Sequence, residues 1–406
     1  MRRILAADGH QRSTLALVRS LGKKGIAVSV AEDRHPCLAS KSKYCRSRVI
    51  YASPEENPLK FIEDIKNELK NNDYDMLIPM TDITCFLANE HAEELSQYTH
   101  ISMPPPEIYK KAQDKGEVIK LCKSLDVPTP ATYFIENLDD AKKLAKSLKY
   151  PVVVKPRLSK TLTSNGWVHG SISYAHTETD LIQTCKNWDS SLPLPLIQER
   201  IEGPGGGAFL LCKDGEPLAV FFHRRIREKP PSGGVSVLRE SVPVDKAMKE
   251  YSLKILKALN WQGAAMVEFK LDRRDNLPKI MEINARFWGS LQLGIDAGVD
   301  FPYLLYRSVM GEDVQPILDY KAGIKTRWLI GDIDHLLIRL FKSDKNLNLP
   351  DGFPGKLAVL KEFFRFFQSG MKYEILNRDD LKPALYELYE YLKNIIKGIL
   401  GKLRKK

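Results

Sequence analysis

Two strand-like runs near the middle of the chain limit its fold more than any other feature. They are Met266-Val267-Glu268-Phe269-Lys270 and Lys279-Ile280-Met281-Glu282-Ile283-Asn284. Asp272-Arg273-Arg274-Asp275-Asn276 between them has turn chemistry, so the pair reads as a β-hairpin. Glu268 alternates with Val267 and Phe269, and Glu282 and Asn284 alternate with Ile283. Side chains two apart on a strand share a face, so Glu282 and Asn284 point the same way and pairing sets Glu268 across from them. Three oxygen donors at one spot suit a hard cation such as Mg²⁺. Arg286 has the same parity and supplies a donor for anions. A solvated hairpin face with ordinary charges has the same pattern, so the hairpin alone leaves both readings open.

A chain of 406 residues suits two or three domains. It has no apolar run of membrane-spanning length, and MRRILAADGH enters a strand directly without a signal-peptide pattern. The six cysteines are scattered, with no Cys-x-x-Cys pair and no accompanying histidine cluster. Reduced thiols in a cytoplasmic protein are therefore expected. The formal charge of +11 comes from 62 basic and 51 acidic residues. There is no nucleic-acid-binding motif, and long Lys/Arg runs are absent before the C-terminus. The excess is assigned to phosphate handling and to the tail, with nucleic acid excluded as a partner.

Residues 1–110 alternate strands and helices: strands at 3–8, 26–32 and 75–80, helices at 13–24, 61–69 and 84–95. That order implies a parallel sheet with helices on both faces. A dinucleotide site is disfavoured. Gly9 is the only glycine after the first strand, although Glu32 sits where a ribose-binding acid would. After Pro104-Pro105-Pro106, Asp114-Lys115 opens a helix leading to Leu125-Asp126-Val127-Pro128. Val152-Val153-Val154-Lys155-Pro156 reads as a strand stopped by proline, with Lys155 at its end. The polar stretch 159–171 reads as a mobile loop between strands. Leu196–Glu202 is a strand leading into the glycine-rich break Gly203–Gly207. Arg224 and Arg225 fall on opposite faces of a long strand, so at most one faces a cleft. Ser232-Gly233-Gly234 is either a substrate loop or a hairpin turn.

Residues 315–406 read as helical and mixed, with an aromatic cluster at Phe363, Phe364, Phe366 and Phe367. The last helix, 382–406, lines up Leu385, Leu388, Leu392, Ile395, Ile396, Ile399 and Leu403 with lysines opposite. The expectation is that this apolar face packs on the body and the basic end is solvated, with weak contact to an anionic membrane surface as the other use.

Over roughly residues 1–310 this order of motifs resembles the ATP-grasp superfamily. The motifs are Asp114-Lys115, Val152–Pro156, Leu196–Gly203, and Glu268 with Glu282-Ile283-Asn284-Ala285-Arg286. The stretch 282–307 looks most like the carboxylate–amine ligase-like and carbamoyl phosphate synthase-like branches. The resemblance implies mixed α/β and α+β architecture. It comprises a Rossmann-like pre-ATP-grasp domain (1–110), one ATP-grasp subdomain with the second-lysine strand and phosphate loop (111–195), a second with the metal hairpin (196–314), and a helical, basic C-terminal extension (315–406).

The same resemblance implies an activity. ATP and Mg²⁺, with Mn²⁺ as a substitute, would activate a small carboxylate as an acyl phosphate, which an amine then attacks. Lys115 and Lys155 would hold the phosphates, while Glu268, Glu282 and Asn284 would hold the metal. The loop with Ser164 and Gly166 would close over the phosphates, and Gln198, Glu199, Arg200 and Ile201 would cover the adenine. Arg286, with Arg225 or else Arg224, would bind the acceptor carboxylate. A carboxylase or small-acid kinase shares every ATP residue, and a catalytically silent nucleotide binder is the third reading. The partners implied are small carboxylates and amines, and a homodimer is compatible with the sequence. The sequence departs from the family pattern at Gly203–Gly207, where the usual ribose-binding acid is missing.

Overall fold

The structure is a computed structural model and describes residues 2–347, 349 and 352–403. The N-terminal sheet contains β1 (Arg3–Ala6), β2 (Ala27–Glu32), β3 (Cys45–Ile50), β4 (Met76–Ile78) and β5 (His100–Ile101), ordered β3-β2-β1-β4-β5 and parallel throughout. Ile4, Leu5 and Ala6 have no exposed surface, as a strand covered by helices on both faces requires. The strand order reverses between β1 and β4, and the loops leaving them are fastened together there. The Asp8 carboxylate accepts from the Met80 and Thr81 N–H groups at 2.9 and 3.0 Å and from the Thr84 hydroxyl at 2.5 Å. Glu32 is occupied by the ring and the backbone N–H of His10.

A smaller antiparallel sheet follows. It uses β6 (Thr132–Phe134) and β7 (Val152–Lys155); then, after the separate pair β8 (Lys160–Thr163) and β9 (Gly166–His169), it takes β10 (Ser173–Ala175) and β11 (Leu196–Glu199). The order is β10-β7-β11-β6. The third sheet has seven strands: β12 (Gly205–Lys213), β13 (Glu216–Lys229), β14 (Val235–Ser241), β15 (Gly263–Leu271), β16 (Pro278–Asn284), β17 (Lys325–Arg327) and β18 (Met371–Tyr373). Its order is β16-β15-β12-β13-β14-β17-β18.

Four expectations change. Because β11 pairs with β6 and β7, the break between the two sheets falls after Glu199, not at 195/196. The helix Lys115–Ser124, with Asp114 as its cap, packs on β16 and shares the large sheet's core, so residues 111–125 do not belong with the small sheet. Residues 315–406 are not simply helical, since β17 and β18 complete the large sheet. The stretch 159–171 is a hairpin and not a loop. Lys160 pairs with His169 and Thr163 with Gly166, and a side chain at Gly170 would meet Pro156 Cγ at 2.4 Å. Ser232-Gly233-Gly234 forms the turn between β13 and β14.

The C-terminal segment ties the N-terminal domain to the large sheet. Glu374 pairs with Arg12 and with Arg239, the latter at 2.5 Å. Asp380 accepts from Arg19 Nε at 2.9 Å and from the Ser42 hydroxyl at 2.6 Å. In the last helix, Lys382–Leu403, the expected packing is reversed. Tyr386, Glu387 and Tyr391 bond to the body through Pro36, Trp328 and Asp334, while Leu385, Leu388, Leu392, Ile395 and Ile396 face outward; the side chains of Ile399 and Leu403 lie outside the described residues. Arg404, Lys405 and Lys406 lie outside the described residues.

Candidate active site

The carboxylate hairpin forms with Glu268 directly opposite Glu282 and Met266 opposite Asn284, and a bulge follows Glu268. Beside it, β12 presents Gly205 and Gly207, which carry no side chain. Arg225 on β13 reaches across them to Glu268 at 2.7 Å and meets Glu228 at 3.0 Å. A Cβ on Gly207 would lie 2.8 Å from the Phe209 ring, so the gap is enforced by packing. Arg224 points to the other face and pairs with Glu240. The structure thus assigns Arg225, and not Arg224, to the hairpin side.

Two lysines close on the same carboxylates from different elements. Lys115, in the first turn of its helix, is 3.2 Å from Glu282 and 2.9 Å from the Ser159 hydroxyl. Lys155 is at the end of β7, with only 4% of its surface exposed. Among the described residues its ammonium makes no hydrogen bond. Burial and then the charge of Lys115 lower its pKa to about 8, against the pull of Glu282 and Glu268. Burial pushes the Glu282 carboxyl up, but Lys115 and Lys155 outweigh it and hold Glu282 below the usual range. Glu268 goes the other way: burial, with the charge of Glu282, raises it despite Arg225.

Arg286 is already engaged. It grips Asp82, the first residue of the helix Asp82–Glu90, through Nε at 2.5 Å and Nη2 at 2.9 Å. Asp82 outweighs the burial of Arg286 and raises its pKa further. An acceptor carboxylate approaching Arg286 would therefore meet an arginine already paired with Asp82. Asp82 lines the cleft together with Lys115, Ser159, Lys160, Trp167 and Glu282.

Trp167 in β9 donates Nε1–H to the Pro54 carbonyl at 3.0 Å and sets its edge against Phe86. The β8–β9 hairpin thereby lies against the N-terminal domain. Ser164 and Gly166 are at its turn, and neither hydrogen-bonds to the lysine–carboxylate cluster among the described residues. Sequence reasoning missed Asp82, Ser159 and Trp167. The only local signal for Asp82 was the Thr81 cap before it.

The β11 linker is held firmly. Gln198 is buried and donates to the Thr132 hydroxyl at 2.8 Å. Glu199 gives its N–H to the Ala131 carbonyl, and its carboxylate accepts from the Ala131 N–H and from Arg274. Arg200 lies over the Tyr174 ring, and Ile201 is buried with its carbonyl accepting from Lys270. A Cβ at Gly203 would fall 1.7 Å from the Leu271 carbonyl oxygen, so a glycine is required where the linker crosses β15.

The donor set fits a magnesium ion held jointly with a ligand's oxygens. Glu268 and Glu282 face each other on paired strands, and Asn284 shares their face. Among the described residues there is no group of three or more His, Cys, Asp or Glu able to hold a metal. Mg²⁺ typically takes one or two carboxylates and completes its shell with water and phosphate oxygens.

Similarity to known proteins agrees with this geometry. The sequence family described as "ATP-grasp in the biosynthetic pathway with Ter operon" matches residues 196–331. The fold matches the L-amino acid ligase from Bacillus licheniformis at TM-score 0.60 and 15% identity, over 78% of each chain. It matches the biotin carboxylase–β,γ-ATP complex from Campylobacter jejuni at TM-score 0.64 and 16% identity, over 80% of this chain and 74% of that one. It matches the N5-carboxyaminoimidazole synthetase from Staphylococcus aureus at TM-score 0.61 and 16% identity, over 80% of each. The chain has an ATP-grasp fold, and residues 196–331 match an ATP-grasp family. Ligases and carboxylases both stand among the structures this fold is similar to. At these identities the likeness speaks to fold, so the chemistry has to be argued from the side chains.

Proposed function

We propose that this ATP-grasp protein is an ATP-dependent ligase that activates a small carboxylate and joins it to an amine. The observation that carries the reading is Lys155. Lys155 is 4% exposed and, among the described residues, its ammonium has no hydrogen-bonding partner; beside two facing carboxylates and a second lysine, it is placed to receive an anion entering the cleft. A triphosphate with its metal brings both the anion for Lys155 and Lys115 and the cation for Glu268, Glu282 and Asn284. Mg²⁺, when bound, supplies charge neutralisation on the phosphates.

In this reading the acceptor's carboxylate oxygen attacks the γ-phosphorus as the bond to ADP breaks. The amine nitrogen then attacks the acyl carbon, inorganic phosphate leaves, and the amine's proton passes to the medium. Lys115 and Lys155 offset charge as it moves onto ADP. Arg225 lies next to Glu268 on the acceptor side. The β8–β9 hairpin, with Ser159 at its base, keeps water from the acyl phosphate. Backbone at Glu199–Ile201 borders the adenine, and Ser164 and Gly166 approach the phosphates only if the hairpin turn swings inward.

The test is ADP release from ATP and Mg²⁺ with a panel of carboxylic acids, using hydroxylamine as the amine. Acid-dependent ADP with matching hydroxamate is expected. AMP as the product would sink the acyl-phosphate reading. ADP formed only with bicarbonate would move the protein to the carboxylase class, and tight ATP binding without turnover would make it a silent binder.

A further inference from the structure

The last helix, Lys382–Leu403, is mounted with its polar side inward. The Tyr386 hydroxyl donates to the Pro36 carbonyl at 2.6 Å, Glu387 accepts from Trp328 Nε1 at 2.7 Å, and the Tyr391 hydroxyl donates to Asp334 at 2.7 Å. At about 100° per residue Glu387 points away from Leu385, Leu388, Leu392, Ile395 and Ile396, while Tyr386 and Tyr391 lie to either side of them. Those five aliphatics form one stripe and remain 42% to 64% exposed. The surface continues onto the helix Leu329–Phe341. There Leu337 and Phe341 lie one and two turns beyond Asp334, on Asp334's side, and Phe341 is 82% exposed. A run of exposed aliphatics this regular marks a surface that is covered in use.

Charge decides what covers it. From residue 382 onward the sequence holds seven basic residues and two acidic ones. Lys382, Lys393 and Lys397 follow one flank of the stripe. The acids lie off the stripe: Glu387 holds Trp328, and Glu390 meets Lys393 at 2.9 Å. A second copy laid on the stripe would bring lysine flank against lysine flank, without the opposite charges that pair helices. No helix among the described residues is long and apolar enough to cross a membrane. A helix with an outward apolar stripe, a cationic flank and too little apolar surface to span suits an anionic bilayer surface. We propose that the exposed stripe of the helix Lys382–Leu403 docks this protein on a membrane rich in anionic lipid, with the helix lying in the headgroup plane.

The experiment is co-sedimentation of the full chain with vesicles of phosphatidylcholine alone and with a third of the lipid replaced by phosphatidylglycerol. Binding to the anionic vesicles at least tenfold above the neutral ones, weakened by salt, is expected. Each lysine near an anionic surface strengthens binding roughly fivefold, so Lys382→Gln/Lys393→Gln/Lys397→Gln should weaken it about a hundredfold. Leu388→Gln/Leu392→Gln/Ile396→Gln should abolish the residual binding, while ATP-binding affinity and circular dichroism stay unchanged. Equal binding to both vesicle types, no binding to either, or binding untouched by the leucine variant would overturn the proposal. So would a dimer by light scattering that the leucine variant converts to monomer, because a second copy would then be the occupant.

Discussion

Lys155→Met removes a charge that the folded chain keeps at a cost. The ordinary lysine value is 10.5, and burial at the end of β7 lowers it to about 8. That difference corresponds to about 3 kcal/mol favouring the neutral amine in the folded state. The folded pKa lies below the unfolded one, so the unfolded chain binds more protons between the two values and stability rises with pH across that window. Below about pH 8 the penalty is present in full; by about 10.5 it is gone. Methionine keeps most of the lysine stem's volume without the charge, so the variant should be more stable than the parent by up to about 3 kcal/mol at neutral pH. The gap should shrink to about 1.5 kcal/mol at pH 9.5, because only the parent titrates there. Urea unfolding of both proteins at the two pH values, with chelator and no nucleotide, measures it. Other lysines and tyrosines that titrate in this range cancel in the difference. ATP affinity should fall in the same variant. A parent as stable as Lys155→Met at neutral pH, or a gap that does not narrow with pH, would refute the assignment of Lys155 as a strained, anion-seeking group.

Other expectations follow from the same geometry. Glu282→Gln should lower the rate of ADP formation by about a hundredfold or more, since it removes a charge facing both lysines; steady-state kinetics at saturating Mg²⁺ measures it. Trp167→Ala should free the β8–β9 hairpin from Pro54 and Phe86, and the readout is a higher ratio of free phosphate to coupled product. Gly203→Ala forces a methyl group onto the Leu271 carbonyl and should destabilise the fold by roughly 3 kcal/mol or more, seen as a lower unfolding midpoint.

The parts of the fold that could be read from the chain were those with a regular period. Strict alternation around Glu268 and Glu282 announced the hairpin, and Ile4–Ala6 and Val28–Val30 announced buried parallel strands. Lys155 stood out because an apolar strand rarely ends in a lysine before proline. What escaped was assembly over distance. Asp82 and Arg286 are separated by 204 positions and become partners only through the meeting of two domains. The strands Lys325–Arg327 and Met371–Tyr373 have three residues each, too few to show alternation. The polar stretch 159–171 looked mobile, whereas the space beside its Gly170 is filled by Pro156. The last helix displayed its amphipathic period plainly. The period could not say which side the body takes, because tyrosine tips and a tryptophan N–H found better partners than the leucines did.

The ties from Glu374 to Arg12 and Arg239, and from Asp380 to Arg19, have a mechanical result. Breaking a buried ion pair costs several kcal/mol, so the first domain and the seven-stranded sheet behave as a single anvil. The four-stranded sheet is held to that anvil by fewer and more exposed links, among them Arg157 to Asp114 and Trp167 to Pro54. Under the proposed function, exchange of nucleotide would call for lifting this small jaw, with Gly203 marking the place where its stalk crosses the fixed block.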